Sequence, residues 1–131
     1  MFAGEVDLKT WYKPKIDKKT LKELSKRSDT KVLLDICVFI VSIILSGYLC
    51  IISWGTLWSI PALLLYGNIF YCKIISIQHE TNHETYFKTR ALNKLFYHLT
   101  SLLGGFEAVR WKWSHFHHHT YTIFTHEEVY D

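Results

Sequence analysis

Six of the eight histidines in this sequence fall in two short stretches, and the spacing of five of them suits metal binding. In WKWSHFHHHTYT, residues 111–122, His118 and His119 follow His115 by three and four positions. A helix turning about 100° per residue brings all three to one face. His117 lies about 200° from His115 and points elsewhere. Neutral imidazole is the commonest metal-binding side chain, and three on one face can hold a transition metal that isolated ones could not. Taken alone, this stretch also reads as a basic, pH-sensitive surface patch. A second stretch, His79-Glu80-Thr81-Asn82-His83, puts two histidines four apart, again on one helical face.

Two chemistries compete for these residues. H-E-x-x-H is the signature of zinc hydrolases, with His79 and His83 as ligands and Glu80 as general base. Five imidazoles, however, exceed what one tetrahedral zinc uses, and they make better sense as part of a two-metal site. Imidazole-rich ligation without a carboxylate cluster suits non-haem iron used for O₂ chemistry, and ligand type alone leaves zinc open. His98 and His126 read as surface histidines. Tyr71, Tyr86 and Glu107 read as packing or orienting groups, not catalytic acids.

The elements that must position these rings look membrane-bound. Hydrophobic residues make up 49% of the chain and aromatics 16%, concentrated in one central block. Between Asp35 and Lys73 there are thirty-seven residues without Asp, Glu, Lys or Arg. As one helix they would run about 55 Å against a hydrocarbon core of about 30 Å. Two spans fit, near 32–52 and 57–77, if the chain reverses around 53–56 at Trp54 and Gly55. Pro61 then falls early in the second helix, where its missing N–H does least harm. A soluble core hairpin is the competing reading.

Nine of the fifteen Lys and Arg residues precede Val32, and Lys73, Lys88, Arg90, Arg110 and Lys112 join them on one side of the hairpin. The positive-inside rule puts both ends in the cytoplasm. Interleaved acidic residues and a net charge of only +3 make nucleic acid a weak partner. Cys37, Cys50 and Cys72 are odd in number and lack paired spacing, which argues against a disulfide framework. The stretch before the apolar block is too long and too mixed in charge for a secretory leader, and none is expected.

Around the hairpin, residues 1–15 show no clear period. Thr20 and Glu23 fit a capping box for a short amphipathic helix through about Arg27, and Asp29 is placed to cap the next helix. Leu92, Leu95, Phe96, Leu99, Leu102 and Leu103 form one apolar stripe opposite Asn93, Lys94, Tyr97 and Ser101. Arg90 and Lys94 make this an interfacial helix and not a third span, with Gly104 and Gly105 ending it. Trp111 and Trp113 suit headgroup depth. The predicted class is all-α: an integral membrane helical hairpin followed by cytoplasmic and interfacial helices carrying the histidines. The segments are a cytoplasmic N-terminal part, 1–31, the hairpin, 32–78, and a cytoplasmic histidine region, 79–131.

HETNH followed by ETYFKTRALN, and later RWKWSHFHHHTYT, resemble the first and second histidine boxes of the membrane fatty acid desaturase superfamily, which includes hydroxylases and ketolases. LKELSKRSD ahead of the first span is similar to the bacterial-type members. The resemblance implies a di-iron centre with two Fe ions and O₂ as co-substrate, acting on an unactivated C–H bond of a fatty acyl lipid. Its metal ligands would include His79, His83, His115, His118 and His119. It also implies an electron donor of ferredoxin or cytochrome b5 type. Family members carry a third box beyond a second pair of spans, so the chain reads as an N-terminal part lacking that box and inactive by itself. Tyr121 stands where many relatives have an acidic residue, which bears on how the histidines are oriented. Besides a related hydroxylase, the alternatives are a membrane zinc protease using His79, Glu80 and His83, and a non-catalytic membrane subunit.

Overall fold

The two charges that bound the apolar block pair with each other. In the computed structural model, which describes residues 15–121, Lys73 Nζ donates to both carboxylate oxygens of Asp35 at 2.7 and 2.6 Å. Asp35 lies on α2 (Asp29–Ser53) and Lys73 on α3 (Ser59–Asn82). Their pairing sets the register of an antiparallel hairpin at one end. At the other end the chain reverses through 54–58, where Gly55 takes a positive φ of 79°. There the Ser59 hydroxyl donates to the Ser53 carbonyl. Between these ends, small residues let the helices approach: Ser46 is buried, and a Cβ on Gly47 would sit 3.6 Å from the Tyr66 ring.

Both helices are long enough to cross a bilayer, at about 36 Å each for a rise of about 1.5 Å per residue. Only 6% and 11% of their most apolar stretches are buried. The core helix of a soluble protein would bury most of that surface, so the soluble-hairpin reading does not match what the fold exposes. Leu34, Ile44, Ile51, Leu57, Leu64 and Trp58 all face outward. The all-α class and the helical hairpin are as the sequence predicts, and among the described residues there is no strand.

At the charged end, α4 (Arg90–Gly104) packs along α3 with its polar face inward. Asn93, Tyr97, Thr100 and Ser101 are buried, whereas Leu95, Leu99, Leu102 and Leu103 are exposed. A helix on a water-soluble globule would turn the other way. Hydrogen bonds supply the inward packing. Gln78, fully buried, donates from Nε2 to Ser101 Oγ at 3.1 Å. The Asn93 amide closes the preceding loop by accepting from Phe87 N–H and donating to Phe87 O, both at 2.9 Å. Among the described residues, Ile74, Ile77, Phe87 and Tyr97 are the buried hydrophobic side chains. α4 ends as its two glycines dictate. Gly105 takes the left-handed conformation, φ 74°, and a Cβ on Gly104 would come within 2.9 Å of the Phe106 ring. Then α5 (Ala108–Tyr121) begins, its first N–H groups capped by Glu107, whose carboxylate accepts from Val109 and Arg110.

Two capping assignments need correction. α1 covers Lys18–Leu24 and is capped by Asp17, not Thr20. The Asp17 carboxylate takes the Lys19 and Thr20 N–H groups, and the Thr20 hydroxyl itself donates to Asp17. The helix starts one turn earlier than a Thr20 cap would set it, so Thr20 lies inside the first turn and the Asp17 carboxylate takes the free N–H groups. Likewise Ser28, not Asp29, occupies the N-cap position of α2. Asp29 instead reaches across the fold, accepting from Lys88 N–H, Thr89 N–H and the Thr89 hydroxyl at the entry to α4.

Candidate metal centre

The first histidine pair sits where α3 runs out. His79 is in the last turn and His83 is the C-cap residue, with αR backbone that continues the helical path. Their rings are 4.8 Å apart, centroid to centroid. α5 supplies the second group and lays it against the first. His83 Nε2 is 2.9 Å from His115 Nε2, and His119 Nε2 is 3.0 Å from that same atom. One ligand atom from each of His79, His83, His115 and His119 can be chosen so that all four lie within 4.8 Å of one another.

The donor set fits a metal ion better than it fits hydrogen bonding alone. His115 Nε2 has either one proton or one lone pair, so it can serve only one of its two close ring-nitrogen neighbours well. A cation shared by the three lone pairs satisfies all of them. Two imidazoles bound about 2.0–2.1 Å from one ion at right angles have nitrogens about 2.9 Å apart, which is the spacing found. Electrostatics favour the ligating form. Burial, then the neighbouring histidines His79, His119, His83 and His118, push His115 down to about 4. Burial, and then His79 and His119, also lower His83, with Glu80 opposing them. Both rings are therefore neutral at pH 7 and keep a lone pair to offer.

The other sequence candidates divide clearly. His118 lies on the flank, its ring 6.0 Å from His115 and 5.7 Å from His119, outside the four-residue set. The His117 ring packs edge-on to Phe116, 6.2 Å between centroids. His98 is in a separate cavity of about 350 Å³ with Lys94 and Lys112. His126 lies outside the described residues, as does Thr122 at the end of the second stretch. Glu80, the would-be general base, is engaged: Oε1 is 3.5 Å from His79 Nδ1 and Oε2 accepts from the Thr85 hydroxyl at 2.8 Å. Tyr86 donates to Asp35 at 2.5 Å, and burial together with that bond raises its pKa, so it stays a donor. Tyr71 is exposed on α3.

One contributor was not expected from the sequence. Trp111 is half-buried and stacks almost flat on His115, with centroids 4.6 Å apart and planes 10° apart. It is backed at 6.4 Å by both Tyr97 and Phe106. The four-residue offset between Trp111 and His115 was the available signal. Trp113, by contrast, is exposed.

A hairpin of exposed apolar helices that ends in a cluster of four imidazoles defines a membrane-associated protein with a donor set that could hold a metal ion. Residues 56–131, more than half of the chain, match the family model described as fatty acid desaturase, and the chain belongs to that family. It is thus a relative of desaturase-type, lipid-oxidising membrane enzymes. No curated protein and no solved structure matches it.

Proposed function

We propose that this chain carries the first two histidine boxes of a di-iron acyl-lipid desaturase. The single observation that carries the reading is the meeting of imidazoles from the end of α3 and from α5 at the charged end of an apolar hairpin. His79, His83, His115 and His119 would hold a first iron, with His118 on the flank available to a second. When bound, the iron pair would supply O₂ activation for removing hydrogen from an unactivated C–H bond.

The chain's own residues do the rest. Imidazoles resist oxidation, and burial keeps His83 and His115 neutral at working pH. The Trp111 ring shields one face of His115 and restrains its rotation. The exposed stripe of Leu95, Leu99, Leu102 and Leu103 would lie in the membrane interface, where an acyl tail can approach from the lipid. Both ends of the chain would be cytoplasmic, within reach of a ferredoxin or cytochrome b5 type electron donor. A hydroxylase or ketolase of the same family would use the same ligands. Against a single-zinc hydrolase stand the ligands from α5 and the engagement of Glu80 by Thr85.

Anaerobic Fe(II) titration of the chain in lipid nanodiscs, with metal analysis after desalting, tests the reading. Iron retained by the wild type and lost on His79→Ala or His115→Ala supports it. One tightly held zinc that tolerates His115→Ala, with peptidase activity dependent on Glu80, would overturn it.

A further inference from the structure

His83 is held from a direction that the histidine motifs do not reveal. It is the last residue before a loop, 84–89, whose first member Glu84 has a left-handed backbone, φ 55°, uncommon for a residue with a side chain. Such a conformation persists only where the surroundings over-determine it. Here they do: besides Asn93, which brackets Phe87 from α4, the restraining groups come from far upstream. The Arg27 guanidinium donates to the Glu84 carbonyl, fifty-seven residues away. Asp29 takes the N–H groups of Lys88 and Thr89 and the Thr89 hydroxyl. Asp35, already paired with Lys73, accepts from the Tyr86 hydroxyl in the middle of the loop. From the other side Arg90 Nε donates to the Glu84 carboxylate at 2.8 Å.

We propose that Arg27, Asp29 and Asp35 are positioning residues for the metal centre: together they clamp loop 84–89 and so aim the His83 ring at His115. The inference rests on the metal-centre reading above and goes beyond it. All three residues precede residue 56, where the match to the desaturase family model starts, so the family assignment gives them no role. The geometry explains why the clamp bears on His83 in particular. His79 is held inside α3 by the helix itself, whereas His83 is the C-cap residue: its N–H and those of Glu84 and Thr85 return to the last turn of α3, and from there on the loop's attachments fix the direction of the chain. Three attachments along six residues leave it little freedom to swing. Groups that orient metal ligands typically affect metal affinity by ten- to a hundredfold, and a clamp acting through the backbone belongs at the lower end.

The test is Co²⁺ binding by the full 131-residue chain in nanodiscs, read by the visible absorption of the bound ion, with helix content followed by circular dichroism. Asp29→Leu and Tyr86→Phe are each expected to weaken Co²⁺ binding roughly tenfold and to alter the absorption bands at unchanged helix content. Asp29→Asn, which keeps the accepting oxygen, should restore most of the affinity. In a His83→Ala background, Asp29→Leu should have no further effect, because the ring it positions is gone.

Additive losses in that double variant would overturn the clamp as a device acting on His83. So would wild-type affinity and spectrum in both Asp29→Leu and Tyr86→Phe, while leaving the metal-centre reading intact. Wild-type chain that takes up no Co²⁺ would overturn the metal-centre reading and the clamp with it. Should Asp29→Leu lose helix content, Tyr86→Phe, which removes a single hydroxyl, decides in its place.

Discussion

The two histidine segments are held in opposite ways. His79 and His83 sit at the end of α3, which packs along both α2 and α4, and the loop beyond them is pinned by side chains from the N-terminal end of α2. His115 and His119 ride on α5, which touches α4 lightly and presents mostly exposed side chains. Its anchors are the Tyr97 hydroxyl, which donates to the Ala108 carbonyl, the Trp111 ring beside Tyr97 and the histidine contacts with His83. One half of the site is thus built into the fold, and the other half is brought to it. A bound ion would add its largest stabilisation to the α5 side, since ligands that bind only the assembled state stabilise that state.

The strongest break in this comparison is His115→Ala. Its Nε2 is the atom that both His83 and His119 approach, so its loss should weaken Co²⁺ or Fe(II) binding about a thousandfold, about 4 kcal/mol. His118→Ala should cost far less for the first ion, and equal losses in titrations of the two variants would put His118 among its ligands.

Phe87→Ala attacks the rigid side. It empties a fully buried position beneath α4 and should destabilise the chain by about 3–5 kcal/mol, measured by denaturant unfolding in mixed micelles. If the α5 side depends on the metal, added Co²⁺ should protect α5 from protease in the wild type more than it protects α3.

Acid sharpens the contrast in the metal-free chain. His115 is pushed down to about 4 when folded and returns to about 6.5 when unfolded. Between those values the unfolded state binds the extra proton, so stability falls as pH drops from about 6.5 to about 4. Below that window this group adds nothing more. Melting curves across the range should show the slope, and His115→Gln should reduce it. The smallest effect expected is from Trp111→Leu. Removing the stack should cost about 1 kcal/mol, roughly a fivefold loss of Co²⁺ affinity by the same titration.

Much of the architecture was legible because it is local. A run of uncharged residues reports its own length against a bilayer, and the leucine spacing of α4 reports a helix with one apolar face. Histidine offsets of three and four report a shared side. Gly105 and Gly104 stop α4 for reasons visible in their chemistry. What could not be read off depends on where distant helices come to rest. Asp29 stands at the start of a helix, as capping residues do, and nothing in its neighbourhood says that Lys88 and Thr89 will claim it.

By itself, the sequence determined that this chain is helical, that two helices are long and apolar enough to cross a membrane, and that its histidines recur at offsets of three and four in two segments. Each property follows from residues within a few turns of one another, through helical periodicity and side-chain chemistry. Only the tertiary structure decided that His79, His83, His115 and His119 form the close set with His118 beside it. It also decided that Tyr97 and Phe106 back the Trp111 ring and that α4 turns its polar face inward. The histidine set and the turning of α4 depend on the relative placement of whole helices, set by contacts such as Gln78–Ser101 and the Asp35–Lys73 ion pair, whose partners no local pattern names.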